Sequence, residues 1–185
     1  MTKSIHFLIL WTMLALAMAI PMVHAAKPEL TGTYKVVGSN SCEINNVGFS
    51  AYPDLFALGP VFQVINTWES KMQFLANGQV IDVSSGQYAI PGFGQPVGTF
   101  ETVCQYTSTA NPDGSVTLTG ECNDKVLSGI AKGVQDNIKP AVWKVMPASN
   151  DVILLSHTGT QVETQTNNLG QIQYRICQGH AIGAP

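Results

Sequence analysis

Residues 99–122 constrain this chain more than any other stretch, because their side chains pair off as a β-hairpin. Over residues 99–107 the even positions are Phe100, Thr102, Cys104 and Tyr106, while the odd ones, apart from Val103, are Thr99, Glu101, Gln105 and Thr107. Alternation with a period of two marks a strand with one buried and one wet face. Residues 115–122 repeat it, with Val116, Leu118, Gly120 and Cys122 against Ser115, Thr117, Thr119 and Glu121.

Between the runs, Asn111-Pro112-Asp113-Gly114 suits a type I turn with proline second, followed by a glycine in the left-handed region. Such a turn sets Asn111 opposite Ser115, Ala110 opposite Val116, Tyr106 opposite Gly120 and Cys104 opposite Cys122. The even pairs are then the non-hydrogen-bonded ones, whose α-carbons approach to about 4.5 Å, within reach of a disulfide. The alternative is two reduced, buried cysteines that share a face.

The chain opens with Lys3, an apolar run from Phe7 to Ile20, and Val23-His24-Ala25 with small residues before a cleavage point. These features predict a secretory signal over residues 1–25. The run is short for a membrane span, and Pro21 ends it. Residues 26–185 then suit a single domain. Loss of the signal, whose one charged residue is Lys3, takes the net charge from −3 to −4. A weakly acidic chain without a basic run argues against nucleic acid and anionic membrane surfaces as partners. All four cysteines lie in the exported part, so a secreted or periplasmic, oxidising location is expected.

Leu30-Thr31-Gly32-Thr33-Tyr34-Lys35-Val36-Val37 reads as a first strand with Tyr34 and Val36 on one face. Its Gly-x-aromatic resembles the Gly-x-Trp signature of the lipocalins and related calycin barrels, with Tyr34 in the place of the tryptophan. That resemblance implies an exported barrel in which a late arginine packs on the first-strand aromatic, and Arg175 is the only arginine. The chain is also similar to small exported bacterial proteins, which implies no function.

Residues 38–60 show no consistent period and form an unusually long connection. Phe49, Tyr52, Leu55, Phe56 and Leu58 there call for burial, with a helical turn over 54–58, as a plug, a lid or a surface for a protein partner. Residues 61–75 and 79–90 make a second hairpin. A two-residue Asn77-Gly78 turn places Phe74 opposite Ile81 and Met72 opposite Val83; a three-residue turn sets Met72 against Asp82. The apolar pairing favours the first. Residues 91–96 are a Pro/Gly loop, and residues 124–137, with Val126, Leu127, Ile130, Ala131 and Val134, have helical spacing despite Gly129 and Gly133. Runs at 140–146, 152–157, 161–166 and 171–177 complete about eight strands.

Successive tight hairpins favour an all-β, antiparallel up-and-down barrel with at most one short helix. First and last strands are neighbours in such a barrel, so by elimination Cys42 pairs with Cys177. The inward set is then Tyr34, Trp68, Met72, Phe74, Ile81, Val83, Phe100, Tyr106, Leu118, Ile172 and Tyr174, with no charged member. Glu101, Glu121, Asp82 and Glu163 fall on wet faces, and Arg175 and Cys177 on the parity opposite Tyr174.

Catalytic signatures are missing from the sequence: there is no Gly-x-Ser-x-Gly, His-Glu-x-x-His, phosphate loop or Cys-x-x-Cys. Cys177-Gln178-Gly179-His180 has a ligand-like spacing but too few partners for a metal. His157 ends an apolar run, where a solvated histidine is commoner than a general base. No catalytic residue, metal or cofactor is expected. The aromatic interior points to a small apolar ligand lined by Tyr34, Trp68, Phe74, Phe100 and Tyr106. The competing readings are an inhibitor or interaction module acting through loop 38–60, and a barrel enzyme, which would need a polar cluster inside.

Overall fold

A computed structural model describes residues 30–51, 54–92, 97–148 and 151–185. The expected signal segment, Tyr52 and residues 93–96 of the Pro/Gly loop lie outside the described residues. Among the described residues nine antiparallel strands form one sheet: β1 (Gly32–Asn45), β2 (Phe62–Phe74), β3 (Gln79–Ala89), β4 (Gly98–Ala110), β5 (Val116–Val126), β6 (Gln135–Pro147), β7 (Ile153–Thr158), β8 (Glu163–Asn167) and β9 (Ile172–Ala184). Pairing of β1 with β9 closes it into a barrel. β7 and β8 lie end to end between β6 and β9, so the nine strands make eight staves, one of them interrupted at residues 159–162.

The β4–β5 hairpin has the expected register, Ala110 facing Val116, Tyr106 facing Gly120 and Cys104 facing Cys122. Its turn is closed by the Asn111 N–H donating to the Ser115 carbonyl at 2.8 Å, with Gly114 at φ +82°. Both disulfides form as read from the sequence, Cys104–Cys122 and Cys42–Cys177.

The β2–β3 register corrects the sequence reading. Phe74 faces Val80, and Met72 faces Asp82. Gly78 alone in this turn has positive φ, +79°, and its N–H donates to the Leu75 carbonyl at 3.0 Å. A two-residue type I′ turn would need positive φ at Asn77 as well, so the chain adopts the three-residue geometry already seen at Gly114. Ile81 and Val83 therefore face outward, 39% and 52% exposed, and Asp82 faces in.

Three further expectations are corrected. Residues 38–45 continue β1 in register with β2 as far as Ile44 opposite Phe62. The remaining β1–β2 connection is bridged by Phe49 and Ala57; residues 54–58 form no helical turn, and Phe56 and Leu58 are 60% and 52% exposed. Residues 124–137 hold no helix. Val126 and Val134 are hydrogen-bonded across a hairpin loop whose Gly129 and Gly133 have φ near +90°, a conformation that breaks helical continuity. In β9 the parity is reversed: Arg175 and Cys177 point inward, Ile172 is exposed and Tyr174 is half-buried.

One end of the barrel is packed solid. Tyr34, Val36, Phe74, Val80, Leu118, Val145 and Ile153 fill it from six staves, and Tyr34 meets Phe74 edge to face at 5.6 Å. Arg175 is in register with Ile44, ten positions along β1 from Tyr34 and so roughly 33 Å away at strand rise. The arginine-on-aromatic contact implied by the lipocalin resemblance is therefore not made.

Candidate functional site

Above that base the barrel opens into a cavity of about 380 Å³. Of the aromatics expected to line it, Trp68, Phe100 and Tyr106 do so; Tyr34 and Phe74 belong to the packed base. The interior also carries what the sequence reading excluded, a set of charged groups. Asp82, Asp124, Asp136, His157 and Arg175 line the cavity, and Glu163 lies behind Arg175.

Glu163 begins β8 directly after the interruption of its stave and is 0% exposed. Arg175, opposite it on β9, donates from Nε to Glu163 Oε2 at 2.6 Å. On the other side His157 Nε2 lies 3.2 Å from Oε1, outside hydrogen-bonding alignment, so Oε1 keeps an open acceptor position. His157 Nδ1 is 3.2 Å from the Cys177 carbonyl. A carbonyl can only accept, so Nδ1 carries a proton there, and a second proton on Nε2 would turn the Glu163 contact into an ion pair. The ring is held edge-on against Trp143 at 4.4 Å.

Burial alone would push the Glu163 carboxyl up, but the Arg175 charge, with His157, outweighs it and holds the group at about 2. Burial likewise works against the charged Arg175, and Glu163 and Asp124 keep it above its ordinary value.

The other carboxylates have no such partner. Asp124 and Asp136 face each other directly across β5 and β6, an arrangement that costs energy when both are ionised. Asp124 is half-buried and lines the cavity. Its carboxyl is raised by burial and by Asp136, against the opposing pull of Arg175 and the Thr102 hydroxyl. Asp136 is raised by burial, with Gln165 and Arg175 opposing.

Asp82, on the stave opposite β8, is 6% exposed, and its Oδ1 has no hydrogen-bond partner. Burial raises it to about 6; nearby Ser70 favours the carboxylate without reaching hydrogen-bonding geometry. Tyr106, whose hydroxyl is 3.3 Å from Cys122 Sγ, is pushed well up by burial and by the negative field of Asp82 and Glu163.

A pH dependence follows. Asp82 has a folded value of about 6 against an ordinary 3.8, so the unfolded chain releases this proton first and stability falls as pH rises from about 4 to about 6. Glu163 acts oppositely: its stabilisation is present above its ordinary 4.5 and is lost as pH falls towards about 2. The unliganded protein is therefore expected to be most stable near pH 4, below the usual optimum of about pH 5–8. Asp82→Asn should stabilise it at neutral pH by about 1–3 kcal/mol and flatten the decline between pH 4 and 6, read by urea unfolding across pH.

A signal for these residues was present in the cysteines. A disulfide inside the barrel fixes its neighbours' parity. Asp124 is two residues after Cys122, Arg175 two before Cys177, and Asp82 faces Cys104. A two-residue turn points Asp82 outward, and the apolar parity of Ile172, Tyr174 and Ile176 does the same for Arg175, whereas both line the cavity. Glu101 and Glu121 do face solvent. The Cys177 to His180 spacing holds no site, since Cys177 is disulfide-bonded and His180 is exposed on the outer face. Compared with protein families, with characterised proteins and with solved structures, the chain matches none.

Proposed function

We propose that this is an exported protein, secreted or periplasmic, that binds one small molecule inside its barrel. The observation that carries this reading is the cavity, whose volume of about 380 Å³ falls in the range of small-molecule sites, and whose aromatic walls converge on a few buried polar groups. Two disulfides agree with an oxidising compartment. The purely apolar ligand expected from sequence is modified: the molecule has an apolar body for Trp68 and Phe100 and a polar end for the carboxylates.

A hydrophobic fluorescent probe should bind with one-to-one stoichiometry. Phe100→Ala should weaken it by roughly tenfold, the scale of losing a buried aromatic contact, while the exposed Gln105→Ala leaves it unchanged. Equal effects of the two changes, or no binding, would count against the cavity. In that event a role as an inhibitor or interaction module through the β1–β2 loop takes precedence, supported by the exposed Phe56 and Leu58.

A further inference from the structure

Asp82 and Ser70 stand on adjacent strands, diagonal to one another across the β2–β3 ladder, where Met72 faces Asp82 and Ser70 faces Ser84. Both line the cavity. Asp82 Oδ1 and Ser70 Oγ are each buried with no hydrogen-bond partner. One unpaired buried polar atom costs about 1–3 kcal/mol; two side by side, on a cavity wall, mark a place shaped for a group that the protein itself does not supply.

The sign of that group follows from the interior charges. Three carboxylates, Asp82, Asp124 and Asp136, line the space, with Glu163 behind Arg175, and Arg175 is the one permanent cation; no lysine lines the cavity among the described residues. Glu163 already takes Arg175 Nε at 2.6 Å, so three carboxylates remain without a pairing base. An anion would meet their repulsion, and a neutral donor would gain hydrogen bonds only. A cation would gain the hydrogen bonds and the field together. Trp68 and Phe100, on the same side of the cavity, offer aromatic faces to an apolar body and to the cation itself.

We propose that this corner of the cavity holds the ammonium group of a small apolar amine, donating to Asp82 Oδ1 and Ser70 Oγ, with the body of the molecule against Trp68 and Phe100. The inference rests on the reading that the barrel binds a small molecule, and narrows it to a chemical class. Bound ammonium would hold Asp82 ionised, so binding at neutral pH keeps its strength and weakens as pH falls through about 6. Of the groups that face Asp82, Asp124 on β5, Asp136 on β6 and Glu163 on β8 add negative charge when ionised, Arg175 on β9 and a charged His157 on β7 oppose it, and Tyr106 on the neighbouring β4 stays neutral.

Three probes with one naphthalene body test this on the full exported chain: naphthylmethylamine, naphthylmethanol and naphthoate. The amine should bind one to one and roughly tenfold or more tighter than the alcohol, with the carboxylate weakest. Asp82→Asn should bring the amine to within about twofold of the alcohol and remove the weakening centred near pH 6, while alcohol binding is kept. Ser70→Ala should weaken the amine by a smaller factor, roughly threefold. Asp82→Asn is expected to fold more stably than the natural chain, so a loss of amine binding would not reflect misfolding. Carboxylate binding as tight as the amine's, or variants that bind the amine like the natural chain, would overturn the amine assignment and leave the cavity reading standing. Failure of all three probes would overturn both.

Discussion

Replacing Glu163 with alanine is expected to destabilise the folded protein by about 3–5 kcal/mol, the usual consequence of stripping one partner from a buried ion pair. Glu163 is 0% exposed, and its Oε2 accepts a hydrogen bond from Arg175 Nε. Without it a guanidinium stays inside the barrel with only Asp124 and Asp136 nearby, carboxyls that burial raises. Glu163→Gln should cost less, because an amide oxygen still accepts from Nε. Pairing Glu163→Ala with Arg175→Met should cost less than the two single changes added together, since the second removes the charge that the first leaves stranded. Urea unfolding of the four proteins would check this; a Glu163→Ala loss under about 1 kcal/mol would mean that the group is hydrated rather than buried.

The second large effect concerns the barrel's closing seam. Cys42–Cys177 spans 135 residues of chain and Cys104–Cys122 only 18. On the loop-entropy relation, removing the first as a Cys42→Ala, Cys177→Ala pair should cost about 5 kcal/mol, and removing the second about 3. The long bridge also sits beside the polar cluster. Cys177 offers its carbonyl to His157 Nδ1, lies two residues from Arg175, and packs with Cys42, Ile44 and Val64 in a small buried group of its own. Its loss should therefore lower the denaturation midpoint more than loss of the short bridge and also disturb probe binding. A short-bridge variant that proved the less stable of the two would contradict this. Non-reducing peptide maps should join 42 to 177 and 104 to 122.

The strand skeleton was legible because it depends on local rules. Period-two alternation and the Asn-Pro-Asp-Gly turn gave the β4–β5 register to the residue, and with it one disulfide. The site was not legible, because its residues break the rule used to find strands. An interior that carries acids makes the polar parity the buried one, as at Asp82, where the outward neighbours Ile81 and Val83 are the apolar pair. Residues 124–137 misled in the same way: the apolar spacing of the hairpin loop imitates a helix, while Asp124 and Asp136 occupy the paired, inward strand positions on either side. What separates the alternatives is the backbone of one turn residue, Asn77, which lacks the positive φ of a two-residue turn, and the closure of β1 on β9.

The same features explain why the unliganded barrel carries avoidable costs. Ionised Asp124 and Asp136 side by side, and Asp82 Oδ1 without a partner, oppose folding. The packed base and the two disulfides offset them. A ligand that supplies donors to the carboxylates would relieve the costs on binding, so occupancy and stability should rise together.

A crystal structure of the exported protein grown with naphthylmethylamine locates the binding site outright. The ring should lie between Trp68 and Phe100, with its nitrogen within hydrogen-bonding distance of Asp82 Oδ1 and Ser70 Oγ. A barrel interior filled only by water, with the probe on the outer surface at Ile81 and Val83 or on the β1–β2 loop at Phe56 and Leu58, would contradict it.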